Sequence, residues 1–407
     1  MNSPVSLASL LSLLVAGMIF LSACAPSQPV DINALYATVT AALAKETRPT
    51  HTPEPATEAP ATSPPEQPAT EAPPPPGTPP TPTEIPRRDL WPAPNGGVTI
   101  SKIGLHAVRN ASPRIMQFVR TVHPVVFKAV DDVGWLSDVK RESPGTMTIG
   151  RFEAPIEIGG DDPQGAGRDF VDRWLGQYRA NPGADYWEGW NEVHPLDDGQ
   201  WNWYAQWEGA RACKMKEYGL RAAMGGFSTG TPEWDQMAKF MPAFETAKAC
   251  GADFIFTLHE YSAPTVYYGL DIGIPGAPDI PGRRGILLFR YRYWYEGYLK
   301  PRGWGNVPLV ISEWGIDGSV AAGRPGPAGF GWHDFTDWWS SSGLASDAEL
   351  YYIDQMKWYD SEVSKDPYVA GFAIYTAGGH TQDQFKSYDI EDVLAPLAQY
   401  VATLPLR

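Results

Sequence analysis

The sequence predicts a (β/α)8 barrel preceded by a long non-globular leader. Three observations carry that expectation. From residue 97 onward, eight short β-rich runs alternate with segments of helical periodicity. Hydrophobic residues make up 43% of the 407 residues, enough to bury a large core. No Gly-rich phosphate loop follows the first β-rich run, which removes one common form of the competing fold, a doubly wound open sheet.

The leader comes first. Residues 5–20 are mostly Leu, Val, Ala, Met, Ile and Phe, too short and too near the terminus for an ordinary membrane span. They end in Leu21-Ser22-Ala23-Cys24. Small residues before a Cys at the end of an apolar run resemble the lipobox of bacterial lipoproteins. The resemblance implies that residues 1–23 are removed and that Cys24 is lipidated, anchoring an exported protein to a membrane. The n-region departs from the pattern in lacking Lys and Arg, and a plain signal peptide is the alternative. Residues 32–46 have the pattern of a short amphipathic helix. Between Pro49 and Pro86 lie 15 of the chain's 40 prolines, among Thr, Ala and Glu. Such a stretch cannot build a core and favours extended polyproline conformations. Residues 24–90 therefore read as a semi-rigid spacer, and 91–407 as the folded domain.

Within that domain the expected strands are 98–107, 124–131, 146–152, 185–192, 220–227, 253–261, 307–314 and 369–376. The expected helices are 112–121, 167–180, 201–218, 233–249, 284–299, 347–364 and 390–402. Residues 262–283 are rich in Gly and Pro, and residues 318–346 carry Phe330, Trp332, His333, Trp338 and Trp339. Both connections fall on the C-terminal side of a barrel, where they are expected to wall a substrate cleft.

Two strands end in carboxylates. Tyr186-Trp187-Glu188-Gly189-Trp190-Asn191-Glu192 closes the fourth, and Leu309-Val310-Ile311-Ser312-Glu313-Trp314-Gly315 the seventh. A pair of carboxylates suits sugar chemistry, one acting as acid and the other as nucleophile or base. Trp187-Glu188-Gly189-Trp190-Asn191-Glu192 resembles the Trp-Glu-x-Trp-Asn-Glu signature of the clan A retaining glycoside hydrolases. That resemblance implies a (β/α)8 barrel, Glu192 as acid/base, Glu313 as nucleophile, and Asn191 on a neighbouring sugar hydroxyl. Val193-His194-Pro195 departs from the family, which has Pro directly after the acid/base Glu. At the end of the sixth strand, His259 and Tyr261 share one face by alternation and Glu260 takes the other. In the family such a Tyr bonds the nucleophile and such a His lines the sugar subsite.

Further expected substrate contacts are Arg151 as a partner of Glu313, His106 at the end of the first strand, Trp314 as a stacking platform, and Tyr375 at the end of the eighth. Glu188 is expected to be buried and paired. Asp131 and Asp132 lie where a subsite would be shaped. The 16 Trp and 19 Tyr are mostly core, with some available as sugar platforms.

A net charge of −15 argues against nucleic-acid binding and against steering of polyanions. No His-Glu-x-x-His, paired-Cys or Gly-x-Ser-x-Gly pattern appears, so no metal, cofactor or Ser nucleophile is expected. Cys213 and Cys250 fall on neighbouring helices, where they are either a disulfide or simply buried. The expected protein is a monomeric, surface-anchored hydrolase of an oligo- or polysaccharide. An inactive carbohydrate-binding barrel and a hydrolase of the cell wall are the alternatives.

Overall fold

The computed structural model describes residues 89–407 except Asp271, Ala321 and Ala322. The lipobox with Cys24, the 32–46 segment and the Pro-rich stretch lie outside the described residues. Eight parallel strands close into one barrel in chain order. They are β1 (Ile103–Ala107), β2 (Val126–Val130), β3 (Met147–Arg151), β4 (Tyr186–Glu188), β5 (Ala222–Phe227), β6 (Phe254–Ser262), β7 (Leu309–Ile316) and β8 (Val369–Ala377).

The outer layer contains α1 (Pro113–Val122), α2 (Leu136–Glu142), α3 (Pro163–Ala180), α4 (Asp198–Glu217), α5 (Gln236–Ala249), α6 (Tyr291–Trp294), α7 (Thr336–Ser341), α8 (Ala348–Val363) and α9 (Leu394–Ala402). Side-chain caps fix several starts. Ser112, Asp162 and Asp197 accept backbone N–H groups of α1, α3 and α4, and Pro113 and Pro163 supply the preset φ of a first turn. The short α2 is not among the expected helices, since only Leu136 and Val139 of its seven residues are buried and no side chain caps it.

The 284–299 helix begins later than its periodicity suggests. Phe289 sits at φ 53°, and the backbone N–H groups of Phe289 and Arg290 both donate to the Glu260 carboxylate at 2.9 Å. This buried anchor sets where α6 can start. After Trp294 the coil widens into a π turn at Tyr295–Leu299 and tightens again at Lys300–Arg302.

Alternation along the strands sorts the barrel interior into layers. The lowest layer is apolar and includes Val126, Ile149, Tyr186, Ala223, Ile255, Val310 and Ala373. Two residues further along, Lys128, Arg151, Glu188, Thr257 and Ser312 are also fully or almost fully buried. The floor is thus sealed by aliphatic packing, and charge begins one layer above it. The opposite strand faces carry Phe127, Ala129, Trp187 and Phe256 into the strand–helix core. Gly150 makes room for this layer, because a Cβ there would meet the Trp187 ring at 2.4 Å.

Cys213 on α4 and Cys250 at the end of α5 form a disulfide, Cα–Cα 5.9 Å. Of the two readings open in the sequence, the bridge is the one realised.

Candidate functional site

The upper interior layer converges on Glu313. A register shift lies between Ile311 and Trp314 on the β7–β8 ladder, and another between Leu258 and His259 on β6–β7. The irregularity lets consecutive side chains face the same way. Lys128 Nζ lies 3.5 Å from Ser312 Oγ and 2.9 Å from Glu313 Oε1. The ladder then resumes with Trp314 on the outside. Trp314 is fully buried between Tyr359 and Phe372, at ring-centroid distances of 4.7 and 5.3 Å. The expected sugar platform is therefore a core residue, and the bulge is the reason.

Glu313 is held from every side. Tyr261 donates its hydroxyl to Oε2 at 2.9 Å, as expected. His259 Nδ1 is 3.5 Å from Oε2, and His106 Nε2 and Arg151 NH2 lie 3.6 and 3.9 Å from Oε1. Burial by itself would raise the Glu313 pKa. His259, Lys128, His106 and Arg151 outweigh it and hold the carboxyl well below the usual range. Of these groups, burial depresses the His106 pKa to about 3, while the Lys128 ammonium has the shortest contact with Glu313, at 2.9 Å.

Lys128 was not singled out from the sequence, yet it joins the site's two buried carboxylates. Its ammonium lies 2.7 Å from Glu188 Oε2 and 2.9 Å from Glu313 Oε1, with no exposed surface of its own. Glu188 is buried and paired as expected. Burial pushes it up, and Lys128, Arg151 and His259 bring it down to about 2. A sequence signal existed: one Lys in the middle of Val126-Phe127-Lys128-Ala129-Val130, at the position that alternation turns inward.

Glu192 lies beyond the strand it was expected to end. The ladder of β4 stops at Glu188, and Glu192 follows a short turn that bonds back to β5 through its N–H on Gly226 O. Its φ is 51°, a left-handed conformation that costs a non-Gly residue about 1–3 kcal/mol and concentrates at functional sites. The side chain is 42% exposed, against 7% for Glu313. His259 Nδ1 contacts Glu192 Oε1 at 2.9 Å, so this ring touches both carboxylates. Oxygens of Glu192 and Glu313 lie within 4.8 Å of one another.

A cavity of about 670 Å³ opens over Glu313, with His106, Arg151, Asn191 and Tyr375 in its wall. His106 Nδ1 is 3.0 Å from Thr376 Oγ1, and its ring sits 4.7 Å from that of Tyr375. Several buried polar atoms here lack a partner: His106 Nε2, Arg151 Nε and NH1, Asn191 Oδ1 and His259 Nε2. Unsatisfied buried groups are costly, and His106, Arg151 and Asn191 are also residues of the cavity wall.

The cavity walls differ from expectation. They come from the connections after β1, β2, β3, β4 and β8, with Asp131 and Asp132 among them, and not from 262–283 or 318–346. Those two segments pack on each other and on the core. Trp339 Nε1 donates to Pro264 O, Trp332 stacks on Tyr352, and Val266, Ile274, Ile280, Trp332 and Trp339 are buried.

Two groups of side chains have metal-ligand types in reach of each other among the described residues: Glu192, His259 and Glu313, and His380, Asp389 and Glu391. In the first, the Lys128 ammonium and the Tyr261 hydroxyl already bond to the Glu313 oxygens.

No protein-family model matches the chain, and no curated protein sequence matches it. Solved structures with partial likeness include an endo-β-1,4-mannanase from Thermotoga petrophila, at 12% identity and TM-score 0.40, covering 74% of this chain and 77% of that one. A β-glucuronidase from Ruminococcus gnavus aligns at 12% identity and TM-score 0.43, covering 74% of this chain. The chain spans 50% of that protein's length.

Proposed function

We propose that the chain is a glycoside hydrolase that retains anomeric configuration. The observation that carries the proposal is the pairing of an ionised, buried Glu313 with a more exposed Glu192 whose oxygen lies within 4.8 Å. Retaining enzymes hold their two carboxyl groups about 5–5.5 Å apart, and inverting ones about 6.5–9.5 Å. In the first step Glu313 attacks the anomeric carbon, and the bond to the leaving oxygen breaks as Glu192 gives that oxygen its proton. In the second, Glu192 takes a proton from water, the water oxygen bonds to the anomeric carbon, and the ester to Glu313 breaks. Lys128, Arg151 and Tyr261 keep Glu313 ionised and aimed. Asn191, His106 and Tyr375 contact the sugar.

A slow 2-fluoro glycoside with an activated leaving group is the direct test. Its sugar is expected on the peptide containing Glu313, seen as an added mass, with no label on Glu313→Gln. Glu192→Gln should slow glycosides of poor leaving groups by about 10²–10⁴ and activated aryl glycosides far less. Equal losses on both would contradict the assigned roles.

The same proposal places the protein outside the cytoplasm, held to a membrane through Cys24. The disulfide supports export, since such bridges persist in oxidising compartments. Cys24→Ala should move the protein from the membrane fraction to the soluble one. Retention in the membrane fraction would remove the lipid anchor from the proposal.

A further inference from the structure

We infer that the cavity is a built site for a chain of at least two sugar residues on the glycone side of the scissile bond, so that the substrate is an oligo- or polysaccharide gripped by its non-reducing portion. The inference rests on the hydrolase reading above and deepens it. The nucleophile must touch the anomeric carbon of the glycone, and the acid must touch the oxygen of the leaving group. Space beside Glu313 therefore belongs to the glycone.

The cavity is one-sided in this respect. Glu313 and Asn191 are in its wall and Glu192 is not, and no residue after β5 or β6 contributes. It runs from Glu313 out to Arg109, Asp132, Glu153, Gln384 and Phe385. At about 670 Å³ it lies in the range that takes a drug-sized ligand, which corresponds to about two or three pyranose rings, not one.

The outer wall is also fixed in place before any ligand arrives. The connections after β1, β2 and β3 are laced together: the Glu153 N–H donates to Asp131 Oδ1 at 2.9 Å, and the Asn110 N–H to Asp132 Oδ2 at 3.3 Å. Asp131 adopts φ 57° to make this turn. Across the cavity, the β8 connection is pinned by the His380 N–H on Asp389 Oδ2 at 3.0 Å, and Phe385 meets the Tyr375 ring edge-on at 6.1 Å. The wall thus offers carboxylates, guanidinium, amide and one aromatic face. That mixture matches the hydroxyls and the apolar ring faces of successive sugars. A pre-organised outer subsite turns remote binding energy into rate, because the outer sugar holds the first one against Glu313.

The test uses p-nitrophenyl β-glucoside, β-mannoside and β-xyloside together with their β-1,4-linked di- and trisaccharide homologues. The aglycone is constant, so only glycone length varies. For whichever series is cleaved, kcat/KM should rise about tenfold or more from one sugar to two. Gln384→Ala, an exposed position, and Phe385→Ala should each reduce that ratio. Their melting temperatures show whether each variant is folded, and the exposed Gln384 position keeps the test open if Phe385→Ala is not. Equal kcat/KM for one, two and three sugars would overturn the inference while leaving the hydrolase reading intact, as would folded variants that slow every length by the same factor. If no member is cleaved and the matching 2-fluoro glycosides leave Glu313 unlabelled, the hydrolase reading falls and this inference falls with it.

Discussion

Lys128 carries more of the site than any other single side chain that does not touch substrate. One ammonium stands between two buried carboxylates, and removing it would leave both without their nearest countercharge. Breaking a buried ion pair from one side typically costs about 3–5 kcal/mol. Lys128→Met should therefore be markedly less stable in urea. It should also move the acid limb of the kcat/KM profile upward, because the charge that keeps Glu313 ionised is gone. In the parent, the acid limb should fall well below pH 4.5, since Glu313 is held well under its ordinary value of 4.5. An unchanged acid limb in Lys128→Met would show that the other groups around Glu313 set its charge state without Lys128. Lys128→Arg should restore part of the effect, limited by the room available in a fully buried position.

At the scale of elements, β6 serves two masters through alternation. His259 and Tyr261 face the site, and Glu260 between them faces outward to cap the start of α6. Burial raises Glu260 to about 7, against the lowering effect of Tyr359 and the N–H groups of Phe289 and Arg290. Its folded pKa is thus above its unfolded value of 4.5. The folded state binds the extra proton between those values, so this group's contribution is complete below pH 4.5 and is lost as pH rises through 7. Urea midpoints measured from pH 4.5 to 7.5 should show this downward component in the parent and lack it in Glu260→Gln. Identical slopes would refute the assignment. The disulfide acts on α4 and α5 in a different way. It closes a loop with a sequence separation of 37 residues, worth about 4 kcal/mol in the chain-entropy account. Cys213→Ser should lower the melting temperature by several degrees, and reductant should do the same to the parent.

For the whole molecule, the barrel and the paired carboxylates were legible because they rest on periodicity and on short motifs at strand ends. Period-two alternation placed His259 and Tyr261 on one face, and the Asn-Glu and Ser-Glu pairs marked their strands. Three things were not legible. The bulge at Ser312-Glu313 turned Trp314 outward, and no composition signal marks a one-residue slip in register. The aromatic 318–346 segment read as a cleft wall, but Trp residues seal a core as readily as they stack on sugars, and which they do depends on tertiary contacts with Pro264 and Tyr352. The disulfide needed the relative rotation of α4 and α5, which helix periodicity alone does not fix. Lys128 was legible in principle, as the only charge in an apolar strand.

The Cys213–Cys250 bridge has one more consequence, and it concerns damage. Between the two sulfurs the backbone runs through all of β5 and the connection from Ser228 to Asp235. Bridge and backbone together make a closed covalent ring. A protease that cuts once inside that ring opens it without separating the chain into two pieces. The nicked protein keeps both halves of its barrel tethered, and it runs as a single species until a reductant releases the fragments. Exposed to a protease, the protein would survive a first cut at this position as one molecule.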